Sequence, residues 1–347
     1  YMVVIYNKMS KRVTIICPIY NEEKYIAQCI DSILEQDYPQ KSMELLLIDG
    51  MSTDDTRVII DHYTQKYPSI RLIDNPERTV PYALNKGIIQ SDSDVVIRID
   101  AHCTYPKNYI STLVEELFAL EADNVGGVWI TEPAKDTATC HAIAIASSHP
   151  FGVGGSKHKI GAKAIEQVDT VPFGCYKRDV FKRIGLFDTD LTRNQDDEFN
   201  ARLIKAGGRI YLIPQLAIHY TARSSFAKMR KMYFQYGLFK PLVNKKLGSP
   251  ATIRHFFPVL FVLGIIIGGL LSVACEWIRW LYTGVLLGYF AAGLYIGATC
   301  SEAKRKPLLA LLLPYTFLNI HLSYGWGYLI GIYKVVTHQS FHVKSNH

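Results

Sequence analysis

From residue 12 to residue 100 the chain switches back and forth between two hydrophobic periods. Val13–Cys17 is a short apolar run, after which Asn21 caps a stretch that puts Ile26, Cys29, Ile30 and Ile33 on one helical face. Leu45–Ile48 is the next apolar run, and Ser52-Thr-Asp-Asp55 behind it reads as a capping box opening a second helix. Ile70–Ile73 and Val95–Ile99 read as further strands, with a helix over Pro81–Ile89 between them. Short buried strands alternating with helices predict an α/β domain around a parallel sheet covered on both faces. Ligands of such sheets sit beyond the carboxyl ends of the strands. Polar residues collect at those ends: Tyr20-Asn21-Glu22, Asp49, and Asp100-Ala101-His102. From Tyr105 to Tyr220 the pattern is mixed, with a Gly-rich loop at Phe151–Gly161 and a helix opening near Asn194.

Beyond residue 255 the polar positions thin out. Phe256–Ala274, Leu281–Ser301 and Leu308–Tyr333 contain no Asp, Glu, Lys or Arg, and each has the ~20 residues that cross a bilayer. About three spans are therefore expected over 255–336, although the third stretch, with Pro314 and His321, either spans or re-enters. Charge sharpens this division. Residues 1–222 carry 24 Lys+Arg against 29 Asp+Glu, whereas 223–254 has eight basic residues and no acid. A basic belt running into an apolar span points to anionic lipids and away from nucleic acid. Within the belt Phe226, Met229, Tyr233 and Tyr236 recur at helical spacing. That helix lies in the membrane interface, packs on the preceding domain, or does both.

The seven cysteines form no CxxC pair and no metal-finger spacing, which fits a reduced compartment. Met2–Tyr6 is too short for a signal peptide, and Lys304-Arg305-Lys306 with the belt belong on the inner side of a membrane. The expected organisation is a cytoplasmic domain over 1–222, a basic interfacial segment over 223–254, a membrane region over 255–336 and a tail over 337–347.

Two nucleotide motifs are absent: no GxxxxGK[ST] loop occurs, and no GxGxxG follows the first strand. Kinase, NTPase and dehydrogenase chemistry lose support accordingly. A nucleotide still needs an aromatic or apolar slot for its base and acceptors for base N–H and ribose hydroxyls. Pro18, Tyr20 and Glu22 offer these beyond the first strand, and Asp49 adds an acceptor beyond the second. Lys157, His158 and Lys159 in the Gly-rich loop either clamp acceptor or diphosphate or ride on a mobile surface loop.

Pro18-Ile-Tyr-Asn-Glu22, Leu47-Ile-Asp-Gly-Met-Ser-Thr-Asp-Asp55, Ile99-Asp-Ala-His102 and Gln195-Asp-Asp-Glu-Phe-Asn-Ala-Arg202 stand in an order and spacing that resemble inverting glycosyltransferase family 2 and its GT-A fold. The resemblance covers roughly residues 12–222. Asn75-Pro-Glu-Arg78, Ala83-Leu-Asn-Lys-Gly87, Pro150-Phe-Gly-Val-Gly-Gly155 and Val171-Pro-Phe-Gly-Cys-Tyr176 resemble the bacterial subgroup that includes the succinoglycan glucosyltransferases.

The resemblance implies transfer of a hexose-type sugar, with inversion, from a UDP-sugar to a hydroxyl of a polyprenyl-diphosphate-linked glycan for capsule or exopolysaccharide. It places the donor nucleotide at Pro18, Tyr20, Glu22, Asp49 and Asp100. It also implies a divalent cation, Mn²⁺ or Mg²⁺, which neutralises the leaving diphosphate. Here Asp100 and His102 stand where the commonest pattern has two carboxylates, and carboxylate plus imidazole suits Mn²⁺. A related branch that transfers N-acetylgalactosamine to protein also reads Asp-x-His and adds a second His downstream, which makes His219 a third candidate ligand against its alternative as a core or loop histidine. By register Asp196 is the general base that takes the acceptor's proton, with Gln195 in place of the usual Glu. Gly174, Gln195 and Arg202 are assigned to the acceptor side or to other roles, with Arg202 a structural residue in the alternative. A processive synthase is disfavoured, since no QxxRW motif is present. A polyprenyl-phosphate sugar transferase would share the donor site, and a non-catalytic nucleotide-sugar-binding scaffold is the non-enzymatic alternative.

Overall fold

The computed structural model describes residues 11–341. The apolar run Met2–Tyr6 and residues 342–347 of the expected tail lie outside the described residues. The front half follows the alternation: β1 (Val13–Ile19), α1 (Ile26–Leu34), β2 (Met43–Asp49), α2 (Thr56–Lys66), β3 (Ile70–Asp74), α3 (Val80–Gln90) and β4 (Val95–Arg98). Then come α4 (Tyr109–Ala119), β5 (Asn124–Glu132), α5 (Ala138–Ser148), α6 (Pro150–Val153), α7 (Lys157–Ile160), β6 (Glu166–Gln167) and β7 (Cys175–Lys177). The remainder is α8 (Asp179–Ile184), α9 (Gln195–Lys205), β8 (Ile210–Thr221), α10 (Phe226–Leu247), α11 (Phe257–Ala274), α12 (Glu276–Thr299) and α13 (Leu309–Val336).

The strands form one sheet in the order β3-β2-β1-β4-β7-β5-β8-β6. Alternating side chains feed two cores: Ile15, Leu45 and Ile97 pack under Ile30 and Leu113, while Ile16, Leu46 and Val96 pack under Leu84 and Phe199. The sheet is mixed, not wholly parallel, because β7 runs antiparallel between β4 and β5, and β6 runs antiparallel to β8. Two local expectations change. The capping box does not close: Asp54 accepts from Thr56 N–H and Oγ1, while Ser52 turns to Asp49. The Gly-rich loop is not open coil but holds the two short helices α6 and α7.

Two helical segments, Ile253–Ala274 and Glu276–Thr299, are long and apolar enough to cross a membrane by length and composition. Their outer faces expose large apolar side chains such as Leu270, Trp277 and Trp280. The third apolar stretch, expected either to span or to re-enter, is not among the segments that pass by length and composition. It forms α13, which buries Leu313, Phe317, Ile320 and Tyr328 and packs along α10. Glycines permit this approach. A Cβ at Gly237 would lie 2.0 Å from the Tyr324 carbonyl oxygen, and one at Gly327 would lie 2.2 Å from that of Phe234. Backbone meets backbone here, so neither neighbour can give way. Gly327→Leu is therefore expected to part α10 from α13, seen as loss of monodisperse protein on size exclusion, whereas Lys304→Leu at an exposed turn position should leave the profile unchanged.

The basic belt packs on the domain in front of it. Lys240 is buried and pairs with Asp197 at 2.5 Å, Lys246 with Asp188 at 2.7 Å, and Arg254 with Asp169 at 2.8 Å. These contacts are those of the packing reading of α10, which the interfacial reading can accompany. Lys228, Lys231 and Lys245 stay exposed.

Candidate active site

A cleft of about 1490 Å³ opens past the carboxyl ends of β1 and β4 and continues to α11, α12 and α13. Pro18, Tyr20, Glu22, Asp100, His102, Gln195 and Asp196 all line it. Four of the seven non-glycine residues with positive φ among the described residues, Asn21, Arg78, Phe173 and Asn194, also line it. Strained backbone of this kind persists where surrounding contacts hold it and gathers at functional sites.

At the nucleotide end, the Arg78 guanidinium stands 6.0 Å from the Tyr20 ring centroid. The Glu22 backbone N–H donates to Thr56 Oγ1 at 2.7 Å, which fixes the turn after β1 against the start of α2. His102 Nδ1 lies 2.9 Å from Asp100 Oδ1 and 3.5 Å from Glu22 Oε1. Burial pushes the Asp100 carboxyl upward, but His102 and Arg98 outweigh it and hold that carboxyl down at about 2. Asp100 beside its partners pushes His102 up to about 11 against burial. The two side chains form a tight pair.

Across the cleft, Asn194 in left-handed conformation donates from its side chain to the Tyr236 carbonyl at 2.8 Å and starts α9. Gln195 is buried there and lines the cleft. Asp196 follows, its Oδ2 accepting a short hydrogen bond from Arg98 at the end of β4. Arg98 was not singled out from the sequence. A charged residue ending an otherwise apolar strand, in Val95-Val-Ile-Arg-Ile-Asp100, was the available signal. Its charge, 12% exposed, faces both Asp196 and Asp100 and ties the two sides of the cleft together.

Four expected site residues stand elsewhere. Asp49 is fully buried, with its carboxylate engaged by Ser52 N–H, Ser52 Oγ at 2.5 Å and Arg57 at 2.6 Å; Gly50, one residue on, lines the cleft instead. His219 pairs with Glu132 at 2.7 Å on the exposed side of β8. The neighbouring Tyr220 lines the cleft and stacks on Trp129 at 4.4 Å, so strand alternation turns His219 away from Asp100. Among the described residues no group of three or more His, Cys, Asp or Glu is arranged to hold a metal by itself. Gly174 stands just before β7, its carbonyl accepting from Arg98 N–H at 3.0 Å, and a Cβ there would come 2.5 Å from Asn124 Oδ1. Arg202 braces α9, donating to Glu198 at 2.8 Å and to the Leu186 carbonyl at 2.9 Å.

Comparison with known proteins agrees with this architecture. The family model for Glycosyl transferase family 2 matches residues 14–185. The succinoglycan biosynthesis protein ExoA of Rhizobium meliloti is 30% identical over 316 residues, covering 90% of this chain and 93% of that protein. A dolichyl N-acetyl-α-D-glucosaminyl phosphate 3-β-D-2,3-diacetamido-2,3-dideoxy-β-D-glucuronosyltransferase of Methanococcus voltae is 29% identical over 330 residues, covering 93% and 97%. Among solved structures, the mannosyltransferase PcManGT of Pyrobaculum calidifontis, in complex with GDP-Man and Mn²⁺, superposes with a TM-score of 0.56 at 22% identity, covering 91% of this chain and 87% of that one. At that identity the likeness shows the GT-A fold.

Proposed function

Because this chain belongs to glycosyl transferase family 2 and is a glycosyltransferase, we propose that it transfers a sugar, with inversion, from a nucleoside-diphosphate sugar to a hydroxyl of a lipid-linked glycan. The observation that carries this reading is the single cleft that joins Tyr20, Glu22, Asp100 and His102 to Asp196 and then runs on to the apolar helices. Pro18 and Tyr20 take the nucleotide base, a uracil by the resemblance, and Glu22 the ribose. Asp196 accepts the acceptor's proton through Oδ1 while Arg98 holds Oδ2. The acceptor oxygen bonds to the anomeric carbon as the bond from that carbon to the diphosphate oxygen breaks. The charge leaves on the diphosphate, and the proton stays on Asp196.

Asp100 and His102 would hold a divalent cation, since a carboxylate and an imidazole line the cleft side by side where a closed protein cage is missing. When bound, that cation neutralises the departing diphosphate. The acceptor class rests on the name of the archaeal relative, which specifies a dolichyl-linked phosphate acceptor, and the product on that of the succinoglycan protein. Membrane attachment through the two apolar helices, with the catalytic domain on the cytoplasmic face, brings such an acceptor within reach. Exposed Lys228, Lys231 and Lys245 then meet anionic headgroups, at ~1 kcal/mol each near such a surface.

Slow hydrolysis of UDP- and GDP-sugars by the purified chain, with Mn²⁺ or Mg²⁺ and no acceptor, tests the proposal. Release of nucleoside diphosphate that chelation abolishes is expected, and no release from any donor would overturn it. His102→Ala should weaken Mn²⁺ by at least the ~10–100-fold that even an outer-sphere partner commands. His219→Ala should leave Mn²⁺ affinity unchanged. Equal effects of the two variants would remove His102 from the ligand set.

A further inference from the structure

Past Asp196 the cleft meets three cations, Lys159 on α7, Arg193 before α9 and Arg223 after β8. Among the described residues none of the three pairs with a carboxylate, whereas Lys240 and Arg254 beside them do, through Asp197 and Asp169. Their nearest partners are neutral. Arg193 Nε donates to Gln235 Oε1 at 3.2 Å, and Arg223 Nε lies 3.4 Å from Met232 Sδ. Lys159 Nζ stands over the rings of Trp129 and Tyr236, at 5.7 and 5.6 Å. Burial pushes the Lys159 ammonium down to about 8 although Asp197 opposes it, and Arg254 and Lys240 add to the lowering. Cations gathered in a partly desolvated wall with no carboxylate in direct contact are costly, and a bound polyanion reduces that cost.

Beyond the cations the wall turns aromatic. Phe151 of α6 lies 5.2 Å from the Tyr289 ring of α12, and Phe261 of α11 lies 4.8 Å from the same ring. The Tyr289 hydroxyl is hydrogen-bonded to His321 Nδ1 of α13 at 2.8 Å. This vestibule is built jointly by the catalytic domain and the membrane-length helices, and it shares the cleft with Asp196. An anion-binding end near the base, continued by an aromatic passage toward exposed apolar helices, matches a molecule with a charged head and a hydrocarbon tail.

We propose that Lys159, Arg193 and Arg223 seat the phosphate or diphosphate of a polyprenyl-linked acceptor, and that Phe151, Phe261 and Tyr289 line the passage for its first isoprene units. The proposal rests on the lipid-linked acceptor reading above and adds the site that receives it. The donor's diphosphate shares the same phosphate chemistry, so the test separates the two sources.

The full chain in nanodiscs is titrated with radiolabelled farnesyl diphosphate, with UDP, inorganic diphosphate and farnesol as competitors. Farnesyl diphosphate should bind and resist UDP, and displacing it should take about tenfold or more of either half-molecule, since head and tail are both held. Arg193→Gln/Arg223→Gln should weaken farnesyl diphosphate about tenfold or more while UDP binding stays unchanged. Phe151→Ala should weaken farnesyl diphosphate and leave inorganic diphosphate unaffected. Loss of UDP binding in the arginine variant would assign the cations to the donor. Inorganic diphosphate competing as well as farnesyl diphosphate would reduce the site to an anion trap, and no binding to the unmodified chain would end the proposal. Donor hydrolysis reads the transferase itself: hydrolysis without farnesyl diphosphate binding sinks only the acceptor site, and binding without hydrolysis sinks only the transferase reading.

Discussion

Asp196→Asn is expected to cut sugar transfer by ~10²–10⁴-fold, the usual loss when a general base is removed, while donor binding persists. The amide keeps the shape of the carboxylate and can still accept the hydrogen bond from Arg98. It cannot take the acceptor's proton. The substitution has a second consequence, because Arg98 is nearly buried and Asp196 supplies part of its counter-charge. Asp100 supplies the rest, so the variant should melt earlier without unfolding. Single-turnover transfer, donor titration and a thermal melt on one preparation separate these effects. Transfer close to the parent rate, at normal yield, would take the base role from Asp196.

Lys240→Met is expected to give the largest loss of stability. Lys240 is 2% exposed, and its ammonium meets Asp197 at 2.5 Å across the junction of α9 and α10. Removing one member of a buried pair costs ~3–5 kcal/mol, mostly as the penalty of the charge left behind. The lower end applies here because Asp197 retains 28% exposure. Lys240→Met/Asp197→Leu should recover much of the loss, since the stranded charge goes with its partner. Burial pushes the Asp197 carboxyl up, but Lys240 and the nearby cations win and hold it far below its usual range. A depressed carboxyl contributes stability that is complete above its unfolded pKa of ~3.9 and fades as pH falls below it. Melting curves from pH 7 down to pH 3 should therefore show a steeper acid decline in the parent than in the double variant. Parallel curves would mean that the pair adds nothing.

The strands β1 to β4, the helices between them and the two apolar helices were all legible in the sequence, because period and run length are local properties. The residues at the ends of parallel strands were legible for the same reason. Topology places those ends on one edge, so Tyr20, Glu22, Asp100 and His102 could be grouped before any fold was known. Gln195 and Asp196 joined them only through the family resemblance. Asp49 and His219 show where that reasoning stops. Both stand at the right place along the chain, but Arg57 claims one and strand alternation turns the other outward. Arg202 reads as a site residue by motif and serves as a brace. The antiparallel β7, the pairing of Asp197 with Lys240, and the burial of α13 against α10 depend on which surfaces meet in space. What the sequence determined by itself is the inventory of elements and the edge of the sheet where chemistry gathers. Which way each side chain faces, and which charge finds a partner and which is left open to a ligand, only the tertiary structure decided, because those outcomes depend on contacts between residues far apart in the chain.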